Sequence, residues 1–109
     1  MIRDRAVVVL PGEGRPLSLG ATQLSFKADE PEAGGHYALS VAMAGPNDSG
    51  TTPHLHREHD DVFFVTEGAL TFEIAGETLD APAGRLVAIP AGLVHRWWNP
   101  CSEPATFLN

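Results

Sequence analysis

The chain has 109 residues, 43% of them hydrophobic and 19% charged, the profile of a folded globular protein rather than a disordered one. Its formal net charge is −7, and its seven Lys and Arg are scattered singly, so no basic surface exists for nucleic acid or an anionic membrane. No segment approaches the roughly 20 apolar residues that span a bilayer, and the lone Cys101 has no partner for an intrachain disulfide.

This length fits a single domain over residues 1–109. The opening stretch "MIRDRAVVVLPGEG" has too short an apolar run for a signal peptide, so a cytoplasmic location is expected. Eleven glycines and nine prolines then cut the chain into pieces too short for a helix. In chain order the pieces that read as strands begin with "TQLSFKA" at 22–28. The next, "GHYALSVAMAG" at 35–45, alternates Tyr37, Leu39, Val41 and Met43 with His36, Ala38, Ser40 and Ala42. "DVFFVTEG" (61–68) is β-branched and aromatic, and "ALTFEIAG" (69–76) alternates Leu70, Phe72 and Ile74 with polar or small residues. "RLVAIP" (85–90), "VHRWWN" (94–99) and "ATFLN" (105–109) complete the set. A period of two is that of a half-buried strand. Turn signals recur at Pro11-Gly12, Gly34-Gly35, Gly45-Pro46, Gly76, Ala83-Gly84 and Ala91-Gly92. Short strands so spaced predict an all-β sandwich or barrel. "PNDSGTTP" (46–53) reads as a loop.

That loop leads into "HLHREHDD" (54–61), the densest group of ligand-type side chains in the chain. His54 and His56 are two apart, so on an extended segment both imidazoles point to one face. Asp61 follows after "REHD", and a hairpin there sets a carboxylate beside the histidines. His95 sits far along the chain behind another turn, where a barrel can bring it alongside. Three imidazoles and a carboxylate suit a divalent transition metal: Fe, Mn, Ni, Cu or Zn. Four protein ligands leave an octahedral ion two positions for water, oxygen or substrate.

From His54 to Asn99 the sequence resembles the cupin family. The first cupin motif is read as His54-x-His56, "REHD", Asp61, "VFFVTE" and Gly68. The second is Gly84, "RLVAI", Pro90-Ala91-Gly92, "LV", His95, "RWW" and Asn99, with 15 residues between the two motifs. The resemblance implies a cupin-type jelly-roll β-barrel of short antiparallel strands, with His54, His56, Asp61 and His95 as metal ligands. Two positions depart from the family pattern. Asp48 stands where a glycine usually opens the first motif, with Gly50 two residues later, and Asp61 stands where the acid is usually Glu. Asp is one methylene shorter, so Asp61 can ligate directly, act through a water, or serve as a catalytic base.

Among the neighbours, Glu58, His59 and Asp60 read as loop polarity. Asp60 is the alternative acid, although seven rather than six residues would then precede Gly68. His36 and Arg96 read as surface or framework residues, and Asn99 as one that fixes a turn. Cys101 belongs to no nucleophile pattern. If the four ligands point inward, strand alternation also turns Phe63, Val65 and Trp97 toward a substrate pocket, with barrel core the alternative for Trp97, and turns Trp98 away from it.

One barrel of this family hosts many activities, so fold alone does not give function. The leading expectation is a small metal-dependent enzyme that oxidises a small, aromatic metabolite with oxygen, resembling flavonol dioxygenases. Alternatives are the metal as Lewis acid for isomerisation or cyclisation, a small-ligand-binding or sensor barrel without turnover, and a metal-free structural barrel. A homodimer is expected as well, with the N-terminal "AVVVL" pairing across a two-fold axis to cover a strand edge.

Overall fold

The computed structural model describes residues 6–28 and 37–109. Within them lie nine strands and no helix: β1 (Arg15–Leu19), β2 (Thr22–Ala28), β3 (Leu39–Ala44), β4 (Asp61–Glu67), β5 (Ala69–Ile74), β6 (Glu77–Pro82), β7 (Leu86–Ile89), β8 (His95–Trp98) and β9 (Ala105–Leu108). The described residues thus hold no helix long and apolar enough to cross a membrane. The strand pairings are antiparallel, forming a six-stranded sheet in the order β1-β2-β3-β9-β4-β7 and a three-stranded one in the order β6-β5-β8. This is the all-β architecture that the short, turn-bounded apolar runs predict, in the jelly-roll form that the cupin resemblance implies.

The seven apolar runs correspond to β2, β3, β4, β5, β7, β8 and β9. The other two strands, β1 (RPLSL) and β6 (ETLDAP), each contain a proline and lie at a sheet edge. Edge strands need fewer apolar residues and tolerate proline's missing N–H, so they leave a weak sequence signal. Residues 6–10, "AVVVL", form no strand, and Val7, Val8 and Leu10 are exposed. His36 and the Gly34-Gly35 turn lie outside the described residues.

The inner faces of the two sheets meet on Phe63, Val65, Leu70, Phe72, Trp97 and Phe107. Phe63 packs edge-on against Phe72 with ring centroids 5.0 Å apart, and Trp97 against Phe107 at 5.1 Å. Burial of each such ring is worth about 1.5–3 kcal/mol. The alternation in β3 runs opposite to side-chain size. Ser40, Ala42 and Ala44 face inward, while Leu39 and Met43 face solvent. Ala42 lies opposite Leu24 on β2 and Phe107 on β9, whose bulk fills that layer and leaves room only for a methyl group.

The stretch 48–54 runs antiparallel along β8. The Asn99 N–H donates to the Asp48 carbonyl (2.8 Å), Thr51 N–H to Trp97 (3.1 Å), and His54 and His95 exchange a reciprocal pair at 2.9 and 2.8 Å. Gly50 makes this approach possible. Its φ is +68°, and a Cβ there would sit 1.8 Å from the Trp97 carbonyl oxygen. The glycine the motif needs is therefore present, two residues later than its usual place. Asp48 fills the vacated position as a buried acceptor for the Thr22 hydroxyl and for the Gly50 N–H at 2.9 Å.

Candidate metal centre

His54 lies at the end of this irregular ladder, His95 opens β8, Asp61 opens β4, and His56 lies between them in sequence. One ligand atom from each of His54, His56, Asp61 and His95 falls within 4.8 Å of the other three. The ring centroids of His54 and His95 are 4.4 Å apart, and those of His56 and His95 5.7 Å. The Gly92 N–H donates to the His56 carbonyl (2.7 Å), fixing the first loop against the turn before His95.

Backbone carbonyls set the imidazole tautomers. His54 Nδ1 is 2.8 Å from the Thr52 carbonyl, and His95 Nδ1 is 2.9 Å from that of Leu93. A carbonyl only accepts, so each Nδ1 carries the hydrogen and each Nε2 is the free ligand atom. His95 Nε2 then faces Asp61 Oδ2 at 2.9 Å, and His56 Nε2 faces the same oxygen at 3.2 Å. For His95 this sets two acceptors face to face, an arrangement that calls for a proton or a metal ion between them, whereas His56 Nε2 can donate to the same oxygen. The donor set of three imidazoles and one carboxylate can hold a divalent transition metal.

Asp61 is held from behind. Asn109 donates through Nδ2 to Asp61 Oδ1 at 2.6 Å and to the Val62 carbonyl at 3.2 Å, and its backbone exchanges hydrogen bonds of 2.9 and 2.7 Å with Ser40. One carboxylate oxygen is thereby committed to the protein, leaving Oδ2 toward the histidines. Neither motif contains Asn109. It lies 48 residues from Asp61, and only the pairing of β9 with β4 and β3 brings it near.

The neighbouring polar residues divide clearly. Asp60 does not join the cluster, since its Oδ1 accepts the Ala91 N–H at 3.0 Å and ties the two motifs together. The His59 ring stacks on His56 at 4.4 Å. Asn99 is buried, donating to the carbonyls of Gly45 (3.0 Å) and Glu103 (2.8 Å) while accepting from the Cys101 N–H (3.0 Å). The Arg96 guanidinium lies over the Trp98 ring, 4.4 Å from its centroid, and Cys101 is exposed.

A cavity of about 1020 Å³ opens over the cluster. Phe26, Phe63 and Trp97 contribute aromatic wall, while Glu58, His59 and Asp60 line it on the polar side. Val65, expected beside Phe63, lies deeper instead. It is fully buried in the core, where its opposite number on β9 is Phe107, and it does not line the cavity. No lysine or arginine lines the cavity among the described residues.

The two-sheet antiparallel barrel, with the three histidines and the carboxylate gathered at one end of the ladder, is of the cupin class. The sequence profile of the cupin domain matches residues 41–109, and the chain belongs to that family. Quercetin 2,3-dioxygenase from Bacillus subtilis (strain 168) is 27% identical over 90 residues, covering 83% of this chain and 26% of the relative. The chain thus spans about a quarter of that curated relative. Among solved structures, a sugar phosphate isomerase from Silicibacter pomeroyi superposes with a TM-score of 0.66 at 29% identity, over 81% of this chain and 57% of that one. A predicted oxalate decarboxylase from Thermotoga maritima superposes at 0.84, with 16% identity, over 93% and 94% of the two chains. At that identity the likeness is one of fold alone.

Proposed function

We infer that this protein is a metal-dependent enzyme that oxidises a small, uncharged hydroxylated aromatic compound with molecular oxygen. The observation that carries the reading is the cavity wall: aromatic rings beside the ligand cluster, acidic residues on the polar side, and no described cation. An oxalate or sugar-phosphate substrate would have only the metal's charge to offset its own, with no Lys or Arg lining the cavity among the described residues. Glu58, Asp60 and Asp61 would instead repel an anion.

A bound divalent metal supplies Lewis acidity and, if redox-active, an electron path to oxygen. The residues of the chain supply the rest. Phe63 and Trp97 form an apolar floor to the cavity, and the more exposed Tyr37 and Phe64 also line it, so an aromatic substrate would pack against apolar wall. In this reading Asp61 would take the hydroxyl proton through Oδ2, the carboxylate oxygen that Asn109 does not engage and that faces the histidines. The distant likeness to quercetin dioxygenase supports the same chemistry.

The test is to load the protein with Fe(II), Mn(II), Ni(II), Cu(II) or Zn(II) in turn. Oxygen uptake is then followed with uncharged polyhydroxylated aromatics, oxalate and sugar phosphates. Uptake with the aromatics alone is expected. Turnover without oxygen consumption would replace this reading with Lewis-acid isomerisation or cyclisation, and saturable ligand binding without turnover would make the barrel a sensor. Failure to take up any of these metals would end the two metal-dependent readings and leave the sensor.

A further inference from the structure

The three imidazoles of the cluster are not fixed alike. His54 and His95 each donate from Nδ1 to the carbonyl two residues upstream, that of Thr52 and that of Leu93. Such a bond sets the tautomer and stops the ring from turning. The carbonyl in the same place for His56 is that of His54, and it is committed to the ladder, where it accepts the His95 N–H at 2.8 Å. Among the described residues no carbonyl meets His56 Nδ1, and the hydrogen-bonding contact of its ring is that of Nε2 with Asp61 Oδ2 at 3.2 Å. Its side chain is also more open, 32% exposed against 1% for His95. The torsion that turns an imidazole about its stem is intrinsically broad, so a ring without support rotates. The register that joins His54 to His95 thus leaves His56 without help from the backbone.

Support comes from another ring. The His59 imidazole lies over that of His56, with centroids 4.4 Å apart and planes 29° from parallel. The ligand rings stand farther from His56, His54 at 5.2 Å and close to perpendicular, His95 at 5.7 Å. The bend that carries His59 is held at both ends. Before it, the His56 carbonyl accepts the Gly92 N–H at 2.7 Å, and after it the chain enters β4, where Asp61 pairs with Ile89. His59 borders the cavity but offers no atom to the ligand cluster, so it acts on His56 and not on a metal. A ring packed against one face of His56 bars the rotation that would swing Nε2 away from Asp61, and the stacking is itself favourable.

We propose that His59 is a positioning residue of the metal centre. By stacking on His56 it supplies, through a ring face, the orientation that backbone carbonyls supply to His54 and His95. The proposal rests on the cluster holding a metal and is independent of the substrate.

Titration calorimetry and absorption spectroscopy with Co(II) test it on the full chain, using His59→Ala and His59→Phe. The alanine variant is expected to bind Co(II) about tenfold more weakly, within the range for groups that orient a ligand, and to shift the cobalt absorption bands as His56 turns. The phenylalanine variant keeps a flat ring and loses both nitrogens. It is expected to bind within about threefold of wild type and to restore the wild-type bands. Because His59 is exposed, the metal-free melting temperature is expected to be unchanged in both. Unaltered affinity and bands in the alanine variant overturn the proposal. A phenylalanine variant as weak as the alanine one overturns it too, since the role would then belong to the His59 nitrogens. A fall in metal-free stability without loss of affinity makes His59 a framework residue and has the same consequence. A wild type that takes up no Co(II) overturns it as well, and the metals of the earlier test then decide whether the metal-dependent readings fall with it.

Discussion

The ladder between residues 48–54 and β8 ends in two polar clusters built from the same two segments. At one end, Asp48 and Asn99 are satisfied within the fold: Asp48 by the Gly50 N–H and the Thr22 hydroxyl, and Asn99 by the backbone of Gly45, Glu103 and Cys101. At the other end, His54 and His95 spend only their Nδ1 atoms on the backbone and turn Nε2 toward each other and Asp61. A polar group satisfied by the chain stabilises the fold, while one left facing other ligand atoms needs a cation. The first cluster fixes the register that brings His54 against His95. The second is what that register produces.

The strongest way to break this division is at the structural end. Asn99→Ala leaves three backbone partners without their hydrogen bonds in a buried place, and Gly50→Ala drives a Cβ into the Trp97 carbonyl. Each is expected to cost about 3 kcal/mol or more, lowering the melting temperature by about 12 °C or more in a domain of this size. Protein that remains folded should still bind metal stoichiometrically. If the Asn99 variant is as stable as wild type, the cluster is not the anchor its hydrogen bonds indicate.

His56→Ala tests the other end. His56 is only half-buried, so thermal stability without metal should change by less than about 1 kcal/mol. Metal affinity should fall by about 100-fold or more by titration calorimetry, because one of four ligands is gone. The reverse pattern, a destabilised protein with unaltered affinity, would make the histidines part of the framework.

How much of this was legible in the sequence follows from the same division. The four clustered ligand-type residues lie within two spaced motifs, and the apolar runs give seven of the nine described strands. Asn109 could not be found that way, because its role depends on the β3-β9-β4 pairing rather than on any spacing. The core face of β3 was equally hidden. Which side of an alternating strand faces in depends on what fills the layer opposite, and here Leu24 and Phe107 already fill it. The structural use of Asp48 needed the backbone of Gly50 and β8 in place before it could be seen.

Asn109→Ala gives a smaller effect on the same site. It frees Asp61 Oδ1, so the carboxylate can rotate and Oδ2 no longer stays fixed toward His95 and His56. Metal affinity is expected to fall by about tenfold, within the range for groups that orient a ligand, and the spectrum of a Co(II)-loaded protein should shift as the carboxylate changes its mode. An unaltered spectrum would mean that Asp61 holds its orientation without help.

The smallest effect is expected from the residue next to Asp61. Asp60→Ala removes one exposed hydrogen bond, from the Ala91 N–H to a side-chain oxygen, and nothing in the metal cluster. The cost should be about 1 kcal/mol of stability, with metal affinity within about threefold of wild type. Asp61→Ala, one residue on, removes the carboxylate that faces both His56 and His95, and should lower affinity by about tenfold to 100-fold. Measured side by side, the two substitutions separate the acid that ties the loops from the acid at the site. The order of effects would invert if Asp60, and not Asp61, were the metal's carboxylate. Because β4 begins at Asp61 and turns that side chain to the same face as Phe63, strand alternation points Asp61 rather than its neighbour inward.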